Sequence, residues 1–150
     1  MLDIYVDADG CPVKQEVYRV AARYQLRVFL VANSWMRVPE GDRIELILVG
    51  DQMDEADDWI VEHVRKDDIV ISGDIPLASR CLKIGARVLS PRGRVFSMNS
   101  IGDALASREL LSHLRELGTI TGGPPAQGKR DRSRFLRSLD EIIQDVRGGK

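Results

Sequence analysis

Five short apolar runs, at residues 2–6, 26–32, 44–49, 68–72 and 86–89, recur within the first ninety residues, and the stretches between them mostly carry apolar residues at helical spacing. A strand with one face in water alternates apolar and polar residues. These runs are mostly apolar, with Arg27 the one polar residue in 26–32 and single charges at Asp3, Glu45 and Arg87 in three of the others, so both of their faces are expected to be covered. Strands of that kind alternating with helices predict an α/β fold: a central, mostly parallel sheet of about five strands flanked by helices on both faces.

The intervening segments supply the helices. Pro12 suits a first helical position, where its missing N–H is not needed, and Val13, Val17, Val20, Ala21 and Tyr24 follow at helical spacing, predicting a helix over 12–24. Residues 53–65 read as a second helix with Ile60, Val61 and Val64 inward, and a third begins near Pro76 and runs through Leu77, Cys81 and Leu82. A long amphipathic helix over 100–117 sets Ile101, Leu105, Leu110, Leu111 and Leu114 mostly on one side. Gly122-Gly123-Pro124-Pro125 and Gly128 then forbid a helix, and Phe135, Leu136, Leu139, Ile142, Ile143 and Val146 mark a closing helix over 131–146. The expected organisation is a core over 1–118, a Gly/Pro loop over 119–130, and a C-terminal segment, 131–150, whose helix docks on the same domain.

A chain of 150 residues with 43% hydrophobic content can build such a core without staples. Cys11 and Cys81, far apart and in no CxxC arrangement, supply neither a disulfide framework nor a zinc site. No apolar run approaches the ~18 residues of a membrane span and no basic region leads into an apolar stretch at the start, so a cytoplasmic protein is expected, with no membrane partner. The net charge of -1 argues against nonspecific coating of nucleic acid, yet it conceals an asymmetry. Residues 1–75 hold 8 Lys and Arg against 16 Asp and Glu, while residues 76–150 hold 14 against 7. An acidic cluster beside a basic face suits a metal-dependent enzyme acting on phosphates; the plain alternative is self-neutralising surface charge.

In parallel α/β sheets ligands bind beyond the carboxyl ends of the strands. Asp7 and Asp9 follow the first strand, Asp51 and Asp54 the third, and Asp74 the fourth, while Asp57 and Asp58 lie in the first turns of the second helix. Asp57 precedes Ile60, Val61 and Val64 by three, four and seven residues and so shares the face that packs on the sheet, an unusual place for a charge. Two unit charges 4 Å apart repel by about 4 kcal/mol at an effective dielectric near 20, and Mg²⁺ or Mn²⁺ with its oxygen ligands would remove that cost. Taken singly, each acid has another reading: Asp7 or Asp9 capping the first helix, Asp54 capping the second, Asp57 profiting from its dipole, Asp74 capping the third. Taken together, Asp7, Asp57 and Asp74 at one edge favour a metal.

Four motifs carry a resemblance. Val6-Asp7-Ala8-Asp9-Gly10-Cys11-Pro12-Val13-Lys14, Ala56-Asp57-Asp58 with Ile60, Ser72-Gly73-Asp74-Ile75-Pro76-Leu77-Ala78, and Gly122-Gly123-Pro124-Pro125 with Asp131-Arg132 and Phe135-Leu136 resemble the YaiI/YqxD family of uncharacterised bacterial proteins, over nearly the whole chain. That family is regarded as similar to PIN-like nuclease domains, in which an Asp after strand one, an acid on a helix and an Asp after strand four gather divalent metal. The resemblance implies a single PIN-like domain with Asp7, Asp57 and Asp74 as catalytic metal ligands and Mg²⁺ or Mn²⁺ as cofactor. Glu55-Ala56-Asp57-Asp58 also resembles the acidic helix motif of flap-type 5′-nucleases, which brings in Asp58. Asp9, Asp54 and Asp58 are then outer-shell or second-metal ligands.

Other chemistries compete with this one. Asp7-Ala8-Asp9-Gly10 also resembles the opening motif of haloacid-dehalogenase-type phosphatases, with Ser72 mimicking their second motif, but those enzymes place a flap where Pro12 starts a helix at once. A helix N-terminus could activate the Cys11 thiol, although no base is near in sequence; His63 and His113 fall in no motif. Lys129, Arg130 and Arg132, at the loop–helix junction, suit phosphate contacts, as does Lys14 within the first motif, while Arg134 and Arg137 fit a solvated helix face equally well. Trp35 and Trp59 are the only tryptophans, which gives little support to sequence-specific reading of single strands. Two classes of function stay open: a metal-dependent hydrolase of RNA or DNA phosphodiesters, or a noncatalytic module binding nucleic acid or a phosphate ligand in a retained acidic pocket.

Overall fold

Branched and aromatic residues, which pack well on a pleated surface, fill β1 (Ile4–Asp7), β2 (Val28–Ala32), β3 (Ile44–Leu48), β4 (Ile69–Ile71) and β5 (Arg87–Leu89). The structure, a computed structural model, describes residues 2–9, 11–39, 41, 43–50, 55–102 and 128–148. All five strands run parallel, in the order β3-β2-β1-β4-β5, and β6 (Val95–Phe96) adds an antiparallel edge to give six. Val95 and Phe96 are too short a run to read as a strand in sequence. They pair because Gly93, at φ 89°, closes a turn in which the Ser90 amide donates to Arg94 O at 2.9 Å.

The two-residue period of the strands divides the core. Ile4, Val6, Val28, Leu30, Ile69, Ile71 and Leu89 face α1 (Lys14–Tyr24) and the C-terminal helix, Lys129–Arg147, where Val17, Val20, Phe135, Leu139 and Ile143 are buried. Tyr5, Val31, Val70 and Val88 face α2 (Glu55–His63) and α3 (Ile75–Ile84), which bury Ala56, Ile60, Leu77, Ala78 and Cys81. Asp7 shares the parity of Tyr5, so the end of β1 turns a carboxylate toward the α2–α3 side.

Several helix ends differ from expectation. The first helix starts at Lys14 rather than Pro12, because the Cys11 amide bonds back to Ala8 O at 3.2 Å and residues 12–13 complete the turn out of β1. α2 stops at His63, short of residue 65, as the Asp68 carboxylate captures the Arg65 amide at 2.9 Å. Residues 98–102 are helical (α4), an earlier start than 100, with the Ser97 hydroxyl accepting the Ser100 amide at 3.1 Å. The remainder of the helix expected over 100–117, and the Gly/Pro loop up to residue 127, lie outside the described residues, as does His113. The last helix, α5, begins at Lys129, two residues early, capped by Gly128 whose amide reaches Asp131 Oδ2 at 3.4 Å.

α5 is fastened from its middle to its C-terminal turn. The Ser138 hydroxyl donates to Gly93 O at 2.9 Å, Tyr24 of α1 bonds Asp140, and Arg87 at the start of β5 pairs with Asp145 at 3.0 Å. Its N-terminus thus lies at the carboxyl edge of the sheet, beside the β5–β6 turn. No helix among the described residues is long and apolar enough to cross a membrane.

Candidate functional site

In the chain order β1 continues to β2 on one side, while β4 takes the opposite flank of β1. The carboxyl ends of β1 and β4 therefore frame the switch point at which open α/β sheets bind ligands. Asp7 ends β1, and Ser72-Gly73-Asp74 leads out of β4 into α3. Ser72 is 2% exposed. Its hydroxyl donates to Asp7 Oδ2 at 3.1 Å and its oxygen accepts the Asp74 amide at 3.0 Å. Asp74 Oδ1 accepts the Leu77 amide at 3.1 Å, so the helix-cap reading of Asp74 is realised, leaving Oδ2 with no bond in that cap. The capping reading of Asp9 is not: α1 has no side-chain cap, and Asp9 Oδ2 instead accepts the Asn33 amide at 2.7 Å. Asn33 Nδ2 donates to Gly50 O at 2.8 Å, tying the ends of β2 and β3 into the same rim.

Burial raises the Asp7 carboxyl above the ordinary carboxylate range; the Ser72 hydrogen bond lowers it, and the charges of Asp74 and Asp9 raise it further. The structure thus brings Asp7, Asp9 and Asp74 into one electrostatic group. Asp57 is half-buried in the first turn of α2, on the packing face expected for it, and its charge adds to the burial that pushes the Cys81 thiol of α3 up to about 12. Asp58 is exposed and pairs with Arg80 of α3 at 3.0 Å. Asp54 lies outside the described residues.

The donor chemistry of this edge bears on a resident Mg²⁺ or Mn²⁺. Carboxylates and a hydroxyl are the hard oxygen donors such ions select, and Mg²⁺ commonly takes only one or two carboxylates, keeping water in its other places. Burial is the main cause of the raised Asp7 carboxyl, and the part contributed by Asp74 and Asp9 is a repulsion that a cation would relieve. Among the described residues, no group of three or more His, Cys, Asp or Glu side chains could hold a metal ion, the expected set Asp7, Asp57 and Asp74 included.

From the acids the edge continues toward positive charge. A Cβ on Gly73 would lie 3.7 Å from Pro91, Arg92 pairs with Asp131 at 3.6 Å, and Lys129, Arg130 and Arg132 stand exposed on the first turn of α5. Cations at a helix N-terminus oppose the helix dipole, so helix stability does not account for them. Lys14 donates to Cys11 O at 2.9 Å at the entry to α1. The Cys11 thiol is buried and raised, principally by that burial, which opposes a thiolate nucleophile. His63 stacks on Trp59 with ring centroids 3.8 Å apart and its Nδ1 meets Trp59 O at 2.7 Å, a local arrangement. A cavity of about 440 Å³, lined by Leu2, Leu26, Lys66, Asp67, Asp68 and Arg147 among others, opens at the opposite, amino edge of the sheet.

Sequence reasoning missed one contributor. Asn33, which carries Asp9, follows β2 with no motif around it. Beyond it, Trp35, named in sequence only as one of two tryptophans, is 72% exposed: Trp35 and Arg37 face solvent while Met36 and Val38 pack on the core.

Sheet order and acid placement define an α/β protein with a carboxylate group at its switch point. The chain belongs to the YaiI/YqxD family: the family model described as "Uncharacterized BCR, YaiI/YqxD family" matches residues 5–145. It is similar to a UPF0178 protein of Rhodospirillum centenum, 53% identical over 154 residues and covering 100% of both chains. A UPF0178 protein of Caulobacter sp. strain K31 is 53% identical, covering 98% of this chain and 97% of its own, and one of Rhodopseudomonas palustris strain TIE-1 is 54% identical, covering 95% and 90%. No solved structure matches the chain.

Proposed function

We propose that this protein hydrolyses phosphodiester bonds in RNA or DNA with Mg²⁺ or Mn²⁺, in the manner of the PIN-like nucleases its motif order resembles. The observation that carries the reading is the pair of switch-point carboxylates, Asp7 and Asp74, joined through Ser72, with Asp7 raised by burial and by neighbouring negative charge. Asp7 and Asp74 would hold the ion, with Asp57 as the third catalytic acid and Asp9, Asp54 and Asp58 holding its water or a second ion. Bound there, the ion supplies a water of lowered pKa and neutralises phosphate charge. Lys14, Lys129, Arg130 and Arg132 would hold the strand by its phosphates, which positions it without reading sequence. Ser72 keeps Asp7 oriented.

The test is purified protein with end-labelled RNA and DNA oligonucleotides and Mn²⁺, run beside Asp7→Asn and Asp74→Asn. Cleavage by the parent that disappears in both variants is expected. Cleavage that persists in them belongs to a contaminant. One observation favours a second reading, a binding module without turnover: no three acidic side chains among the described residues converge as metal ligands. Binding that survives both substitutions, with no cleavage by the parent, would select it.

A further inference from the structure

Tryptophan is among the most buried residues on average, and in this chain Trp59 conforms: it is half-buried, with Tyr5 at 6.1 Å, Phe29 at 6.4 Å and His63 at 3.8 Å between ring centroids. Trp35 does the opposite, at 72% exposed. It does not sit on a slack loop. Two residues before it, Asn33 is bonded through its amide to Asp9 and through its side chain to Gly50 O. Directly after it, Met36 and Val38 are anchored against the core under α1. The backbone is held on both sides, and the alternation this imposes puts Trp35 and Arg37 outward together. Arg37 is exposed and makes no ion pair among the described residues.

Position gives this pair its meaning. Asn33 touches Asp9, and Asp9 acts electrostatically on Asp7. Two residues of chain span at most about 7 Å, so the backbone of Trp35 lies close to Asn33 at the acidic rim and its exposed indole is within side-chain reach of that edge. A planar aromatic face with an adjacent guanidinium is the pairing that non-sequence-specific single-strand binders use, one stacking a base and the other neutralising its phosphate. We propose that Trp35 and Arg37 form a single-nucleotide platform that leads a single-stranded RNA or DNA to the acidic edge, on the side opposite the α5 cations. This deepens the hydrolase reading and rests on it for the direction of the strand. A duplex hides its base faces, so the platform selects unpaired nucleotides.

The experiment is fluorescence anisotropy of a dye-labelled single-stranded oligonucleotide with the full chain in EDTA, where turnover cannot intrude, for the parent, Trp35→Ala, Trp35→Phe and Arg37→Ala. Trp35→Ala is expected to weaken binding about 5- to 150-fold, the range to which 1–3 kcal/mol of stacking converts at 1.4 kcal/mol per decade. Trp35→Phe should keep most of the affinity yet lose the quenching of indole fluorescence seen with the parent. Arg37→Ala should flatten the dependence of log K on log salt by about 0.7, one phosphate on a single strand. Equal binding by Trp35→Ala and the parent, no binding by any of the proteins, or an equal loss for a blunt duplex would each overturn the proposal. So would a parent that self-associates in sedimentation while Trp35→Ala does not, since a second copy would then cover the indole. Trp35-dependent binding with no Mn²⁺-dependent cleavage would leave the platform standing and remove the hydrolase.

Discussion

The Ser72 hydroxyl donates to Asp7 Oδ2 at 3.1 Å while the same oxygen receives the Asp74 amide at 3.0 Å, so one small buried side chain joins the ends of two adjacent parallel strands. Ser72→Ala deletes the donor to Asp7 and leaves the Asp74 amide without that acceptor. Leaving a buried donor unsatisfied costs about 1–3 kcal/mol. Urea denaturation should show a loss of that size, and Ser72→Cys should recover little of it, since sulfur is a weak acceptor. A loss below a few tenths of a kcal/mol would show that water replaces the hydroxyl.

Asp7 bears on the pH dependence of stability. Its folded carboxyl is raised above the ordinary value of 3.8 by burial and by Asp74 and Asp9. The native state therefore holds the Asp7 proton more tightly than the unfolded chain does. The group costs no stability below its unfolded pKa, costs progressively more as pH rises through the folded value, and costs the full amount above it. Asp7→Asn removes the charge and keeps an oxygen that can accept from Ser72. In EDTA its melting temperature should exceed that of the parent at neutral pH, by about 2–4 °C per kcal/mol relieved, and the two should converge toward pH 4. A variant less stable at neutral pH would mean that the charge stabilises the apo rim.

Mn²⁺ at millimolar concentration should raise the melting temperature of the parent, as any ligand that prefers the native state does. Asp74→Asn should reduce the shift while still capping α3, because Asn is as good an N-cap as Asp. Asp68→Asn serves as the control: this buried acid at the amino edge accepts the Asp3 and Arg65 amides at 3.0 and 2.9 Å, far from the switch point. Its substitution should lower stability and leave the Mn²⁺ shift intact. An equal shift in the parent and Asp74→Asn would place the ion elsewhere.

The strands and the acids at their ends were readable because both are local signals. A short, mostly apolar run between helices reads as a strand of a covered sheet, although β3 takes the edge and stays half-open, and an Asp shortly after such a run sits at the ligand edge of a parallel sheet, as Asp7 and Asp74 do. What escaped was set by tertiary contacts. Val95 and Phe96 form a strand only because β5 offers an edge and Gly93 turns the chain back. The partner of Asp9 is an amide from another strand's exit, and sequence spacing carries no trace of it. The exposure of Trp35 is tertiary too: Asn33 is held by Asp9 on one side and Met36 and Val38 pack on the core on the other, which sequence spacing does not record.

The docking of α5 yields the last prediction. Gly93 has φ 89°, and a Cβ there would come within 2.6 Å of Arg134 Cγ and 2.8 Å of the Phe135 amide nitrogen, so the β5–β6 turn and α5 touch backbone to backbone. Gly93→Ala imposes both a left-handed conformation on a residue with a Cβ and a clash that the helix backbone cannot yield to cheaply. Phe135, fully buried one residue further on, anchors the same contact, and Phe135→Ala should cost about 3–5 kcal/mol. The two substitutions disrupt one interface, so the double variant should lose less than the sum of the singles. Because α5 presents Lys129, Arg130 and Arg132 beside that turn, Gly93→Ala should also weaken oligonucleotide binding in protein that remains folded. Strictly additive stability losses, with oligonucleotide affinity unchanged, would show that the turn and the basic end of the helix are independent.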